Sequence, residues 1–210
     1  MAQDRRDYPA TIRQRMAERW AQRRLGKLDH ERRVCAVASS LFDLTHSSHR
    51  LDPHEKRLLE LAAVLHDVGR KLDVKHHPAM GSKMILADEW LPLSESDRRS
   101  VAYLTRYHRG AVPEAGFDEI LTSSESRRRL RIVLAILRAA DALDGRQLQA
   151  PRLVLARRGR KLFVTVYLEE DSAKARRFFK RRKKFRLFEE LLNLKVVVEI
   201  RHAHAVHAVA

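Results

Sequence analysis

From the N-terminus to about residue 144 the apolar positions recur every three or four residues, and beyond Pro151 they alternate. The first period belongs to helices packed by one face, the second to half-buried strands. Residues 10–24 suit a basic helix closed by Gly26. A second helix fits 30–45, where His30, Val34, Val37, Leu41 and Leu44 share one stripe. Asp52-Pro53 with Glu55 reads as an N-cap, a proline at the first helical position and an acid at the third. The helix that follows carries Leu58, Leu61, Ala62 and Leu65 to His66-Asp67, with Gly69 placed to end it. Pro78 opens another helix just after His77. Ser94 and Asp97 resemble a capping box for a helix through Val101, Leu104 and His108, which Arg109-Gly110 closes. Residues 112–126 are polar and loop-like. Residues 127–144 form a long helix with Leu130, Val133, Leu134, Leu137, Ala140 and Asp141 near one face.

The alternating stretches RLVLA and KLFVTVYLE are rich in β-branched residues, and RRGR between them supplies a turn glycine, so they predict a hairpin. Residues 172–192 return to a basic amphipathic helix with Phe178, Phe185, Phe188 and Leu191, and KVVVEI predicts a third strand. The expected fold is mainly α, a helical bundle with a small C-terminal ββαβ appendage. The expected division is 1–150 for a helical metal-binding domain, 151–201 for a basic α+β appendage and 202–210 for a tail.

A chain of 210 residues, 44% hydrophobic and 33% charged, can bury a full core and reads as soluble and globular. No stretch approaches the roughly 18 apolar residues of a membrane span, and MAQDRRDYPA has no apolar signal core, so the expectation is a cytoplasmic protein without membrane contact. The single cysteine, Cys35, excludes an internal disulfide and reads as a packed helix residue. The net charge of +16 is unevenly spread. Residues 50–121 hold 11 Lys/Arg against 12 Asp/Glu, or −1, whereas 157–186 hold 13 against 3, or +10. Polyanion contact, including RNA, is therefore expected at the basic C-terminal part and, to a smaller degree, within residues 1–28. The bland reading of that part is a solvated charged face over core Phe and Leu residues.

His66-Asp67 at the end of an apolar helix sets the chemistry. An imidazole and a carboxylate there are costly unless a metal or hydrogen-bonding partners hold them. Adjacent helix residues point about 100° apart, so other helices must complete a shared shell. His30 and Asp141, each on an apolar helix face, are the candidates. Two His and two carboxylates suit Mn, Fe, Mg, Zn, Co or Ni and leave positions open for water and substrate. Taken alone, His30 reads as a satisfied core histidine, and a structural protein with buried His-Asp pairs is the corresponding alternative. Arg70 and Lys71 after the pair, Arg109 after His108 and Arg146 after Asp144 are cations placed to meet an anionic substrate; their bland role is to cap carbonyls and face water. His46, His49 and His54 lie in or beside a polar loop, and His202, His204 and His207 alternate in the tail.

The order His30, His66-Asp67, Asp141 resembles the H…HD…D signature of the HD-domain superfamily of metal-dependent phosphohydrolases. More closely, HERRVCAVASSLFDLT, LLELAAVLHDVGRKLD, the His77 run, YLTRYHRG and LAILRAADALDGR resemble, in order, the C-terminal region of the Ppx/GppA exopolyphosphatase and guanosine pentaphosphatase family. The resemblance spans about residues 15–200. It implies an HD-type bundle in which His30, His66, Asp67 and Asp141 bind a first ion and His77 and His108 a second. For the HHP sequence, HPAMG favours His77 over His76. The family's recognised phosphatase centre lies in an N-terminal actin-like half absent from this sequence, so a stand-alone module is implied and exopolyphosphatase activity does not follow.

The resulting expectation is a metal-dependent phosphohydrolase acting on a nucleotide or polyphosphate-like ester or anhydride through a metal-activated water. One or two divalent ions would serve it, with Asp67, Arg70, Lys71 and Arg109 as the catalytic group. An oligomer is compatible with the sequence. The alternative is a non-catalytic module that binds polyphosphate, a nucleotide or RNA.

Overall fold

The computed structural model describes residues 9–113, 118–121, 124–144, 151–169 and 173–202. Six helices come first: α1 (Ala10–Leu25), α2 (Asp29–His49), α3 (Pro53–Leu65), α4 (His77–Ala87), α5 (Glu95–Tyr107) and α6 (Ser124–Leu143). Then follow β1 (Arg152–Arg158), β2 (Lys161–Leu168), α7 (Ala173–Phe179), a 3-10 turn at Arg182–Lys184, α8 (Arg186–Leu192) and β3 (Lys195–His202). The fold is mainly α with a small C-terminal sheet, as the change of period at Pro151 predicts. The tail from residue 203, with His204 and His207, lies outside the described residues, as do 1–8 and 145–150.

Helix starts obey the capping chemistry. At α3 the Asp52 carboxylate accepts from the His54 N–H at 2.9 Å while the Asp52 N–H donates to Glu55 at 3.2 Å, with Pro53 at the first turn. At α5 the Ser94 hydroxyl accepts from the Asp97 N–H at 3.1 Å. The long helix begins at Ser124, three residues before the expected start, with Glu125 in its first turn. The second helix likewise runs on to His49, so His46 and His49 are helical. His49 is half-buried, donating to the Phe42 carbonyl at 3.0 Å and accepting from the Leu51 N–H at 2.9 Å. His54 is exposed and pairs with Asp97 at 2.8 Å.

Two expectations are corrected by packing. Helix α3 stops at Leu65, and Gly69 does not cap it. A Cβ on Gly69 would lie 2.5 Å from the His77 carbonyl oxygen and 2.6 Å from the Gly81 nitrogen, so this glycine lets α4 press against the turn that holds His66-Asp67. The single helix over 172–192 is broken into α7, the 3-10 turn and α8. Phe179, Phe185 and Phe188 are all buried. On one continuous helix Phe179 would point about 120° away from Phe185, so the break brings both aromatic rings inward.

Strand order is β1-β2-β3. β1 and β2 are antiparallel from Arg152↔Tyr167 to Arg158↔Lys161 around a two-residue turn whose Gly159 has φ of 56°. β3 runs parallel to β2 from Lys161↔Lys195 to Leu168↔His202. The inward side of β2, Leu162, Val164, Val166 and Leu168, is buried with the aromatic residues of the crossover. β1 contacts α2, and α8 contacts α2 and α6, which seats the sheet and the basic segment against those helices. No helix among the described residues is long and apolar enough to cross a membrane.

Candidate metal centre

Five helix ends converge on one buried cluster. His30 sits in the first turn of α2, His66-Asp67 just after α3, His77 at the start of α4, His108 just after α5 and Asp141 in the last turn of α6. All six are buried, from 0% exposed for His66 and Asp67 to 8% for Asp141. They form two groups that share Asp67: His30, His66 and Asp67 on one side, Asp67, His77 and His108 on the other. Asp141 Oδ1 joins the first group, 3.4 Å from His30 Nε2 and 3.8 Å from His66 Nε2. In the second group Asp67 Oδ1 lies 2.9 Å from His77 Nε2 and 3.5 Å from His108 Nε2. His76 is exposed and bonded to Asp73 at 2.8 Å, so of the two neighbouring histidines it is His77 that reaches the cluster.

The outer nitrogens fix how the rings are turned. His66, His77 and His108 each direct Nδ1 to the carbonyl oxygen three residues earlier, those of Ala63, Val74 and Thr105, at 2.8, 2.8 and 2.7 Å. A carbonyl only accepts, so each Nδ1 carries a proton and each ring turns its Nε2 inward. Those inner nitrogens face one another and the carboxylates. His30 Nε2 is 3.3 Å from His66 Nε2, and His77 Nε2 is 3.2 Å from His108 Nε2. Asp141 Oδ1 is buried and accepts no hydrogen bond among the described residues.

Burial depresses the His66 imidazole to a pKa of about 4, which keeps it neutral near pH 7. Burial alone would raise the carboxyl of Asp67, but His66, His108 and His77 outweigh it; His30, His66 and Arg109 do the same for Asp141. Both acids are held below the ordinary carboxylate range. Carboxylate oxygens and imidazole nitrogens in mutual contact can be satisfied by a bound cation. Two donors each about 2.1 Å from one ion and roughly 90–110° apart lie about 3.0–3.4 Å from each other, and the separations here run from 2.9 to 4.0 Å around that range. The N/O donor set therefore fits a divalent ion at either group.

A pocket of about 520 Å³ opens onto His108 and Asp141. Arg70, Arg109 and Arg138 line its bundle side, and Lys174, Arg181, Lys183 and Lys184 come down from the basic segment. Arg109 approaches Asp141 Oδ2 at 3.4 Å and Arg70 approaches Asp67 Oδ2 at 4.0 Å. Lys71 is exposed, with its ammonium 3.4 Å from the place a Gly26 Cβ would take, and does not line the pocket. Arg146 lies outside the described residues. Burial lowers the pKa of Lys184, whose Nζ stands 3.9 Å over the Phe178 ring.

Sequence reasoning passed over Asp144 and Arg33. Asp144, 4% exposed, takes the Nδ1–H of His30 and accepts from Arg33 Nε at 2.8 Å and Nη2 at 3.2 Å. The signal was present in DALD, where Asp144 follows Asp141 by one helical turn. The pocket-lining role of Lys174, Arg181, Lys183 and Lys184 had no such signal, since a basic helix looks the same whether it faces water or a site.

Residues 12–177 match the family model described as Ppx/GppA phosphatase, domain III. No curated protein matches the chain.

Proposed function

Because this chain belongs to the Ppx/GppA phosphatase domain III family, we propose that it is a metal-dependent phosphohydrolase of HD type acting on a phosphate ester or anhydride. The observation that carries the reading is the pair of buried His/Asp groups sharing Asp67 and opening onto a pocket walled by seven cations. His30, His66, Asp67 and Asp141 would hold one ion and Asp67, His77 and His108 a second. A divalent ion there supplies Lewis acidity toward a phosphoryl oxygen and lowers the pKa of a water bound to it. Arg70 and Arg109 meet the anionic group nearest the carboxylates, while Lys174, Arg181, Lys183 and Lys184 bind the further negative charge of a nucleotide or polyphosphate-like substrate. His108 and Asp141 line the pocket, so a substrate would approach the cluster from that side. The order of ligands on α2, the turn after α3 and α6 supports membership of the HD-domain superfamily. The helical part to residue 150 is assigned the ion-binding role and residues 151–201 the anion-binding wall.

The test is elemental analysis of untagged protein, followed by phosphate release from nucleotides and short polyphosphates with Mn, Mg, Fe, Co and Ni. Stoichiometric metal and turnover lost in both His66→Ala and Asp67→Ala are expected. Protein without stoichiometric metal, or release unchanged in those variants, sinks the proposal. Salt-sensitive anion binding with metal bound but no turnover on any of them would identify a binding module instead.

A further inference from the structure

Three of the four inward histidines take their orientation from the carbonyl three residues earlier, and His30 does not. Its Nδ1–H goes to the Asp144 carboxylate, beyond the last residue of α6 and 114 positions away in sequence. Asp144 is gripped in turn by both ends of the Arg33 guanidinium fork, at 2.8 and 3.2 Å. The arrangement is two helical i, i+3 pairs facing each other. His30 and Arg33 share a face of α2, Asp141 and Asp144 share a face at the end of α6, and each member of one pair meets the other. Asp141 meets the inner nitrogen of His30 while Asp144 meets the outer one.

We infer that Asp144 is a positioning residue for the ion-binding face of His30 and that Arg33 positions Asp144. The physical reason is that a carboxylate on the outer nitrogen fixes the tautomer, aims Nε2 at the cluster and makes that nitrogen a stronger donor than a carbonyl would. Arg33, with 36% of its side chain exposed, carries a compensating positive charge for the buried Asp144 toward solvent. A backbone carbonyl could not be adjusted in this way. The ring of His30 is therefore set by a contact between α2 and α6, and the first ion group depends on those two helices being in register.

This inference rests on the metal reading above, and the test separates the two. Untagged parent, Asp144→Asn, Arg33→Gln and Arg33→Lys are stripped with chelator and titrated with Co2+, following the visible absorption of the bound ion, and with Mn2+ in competition with a chromogenic chelator. Asp144→Asn is expected to weaken metal binding about 10–100-fold, the range found when such outer partners are removed, and to shift the Co2+ spectrum. Arg33→Gln is expected to weaken it less and Arg33→Lys to recover part of the loss. Melting of the metal-free proteins provides the control. Affinity and spectrum unchanged in Asp144→Asn and Arg33→Gln, with only the metal-free melting lowered, make the contact a plain helix tether and overturn the inference. If Asp144→Asn does not fold, the Arg33 pair decides by the same criteria. A parent that binds neither ion overturns the metal reading and this inference with it.

Discussion

Asp67 can serve two neighbouring groups because a carboxylate has two oxygens. Oδ1 lies 2.9 Å from His77 Nε2, and Oδ2 is 4.0 Å from His30 Nε2. Substitutions should therefore divide by position. His77→Ala or His108→Ala should remove one ion of two by elemental analysis, whereas Asp67→Ala should remove both. Equal loss from all three variants would show that there is no sharing. His66 gives a pH prediction for the metal-free protein. Its folded pKa of about 4 lies below the ordinary value of 6.5, so between those values the unfolded chain holds the extra proton. Its contribution to stability is full above pH 6.5 and is lost as pH falls toward 4. Melting in chelator should drop across that window, and His66→Gln should flatten the drop.

At the scale of elements, the cluster depends on how closely α4 is seated against the turn after α3. Gly69→Ala would put a methyl 2.5 Å from a backbone oxygen and 2.6 Å from a backbone nitrogen, neither of which can swing aside as a side chain would. The expected cost is about 1–3 kcal/mol, read by denaturant unfolding, together with weaker binding at the His77 group. Asp52→Ala, which removes a cap at the far end of α3, should cost about 1 kcal/mol and leave metal stoichiometry unchanged. The contrast separates loss of stability from loss of site geometry. The crossover helices make the same point from the other side. A basic amphipathic run predicts one helix, but the burial of Phe179 with Phe185 divides it and turns its cations toward the pocket.

Across the whole molecule, charge and chemistry are in different parts of the sequence and meet only in the fold. Residues 50–121 sum to −1 and 157–186 to +10, yet His108 and Asp141 line the same pocket as Lys183 and Lys184. Tripolyphosphate binding should weaken steeply as salt rises, because several cations act together and their field is screened. Lys183→Gln with Lys184→Gln should raise KM several-fold, leave metal content unchanged and make the salt dependence shallower. An unaltered salt dependence would return the basic segment to the role of a solvated face.

The change of period at Pro151, the caps at Asp52 and Ser94 and the polar residues on apolar helix faces were all legible along the chain, because caps, periodicity and the cost of burying an imidazole are local or one-dimensional properties. His30, His66-Asp67 and Asp141 could be singled out for the same reason. Their convergence with His77 and His108 was implied by resemblance to a family, since no spacing rule relates residues on five separate helix ends. The contact of Asp144 with His30, the close approach at Gly69 and the descent of Lys174, Arg181, Lys183 and Lys184 onto the pocket were decided by tertiary packing alone. Each depends on the distance between elements far apart in sequence, and that distance is fixed by how whole helix faces fill space against one another.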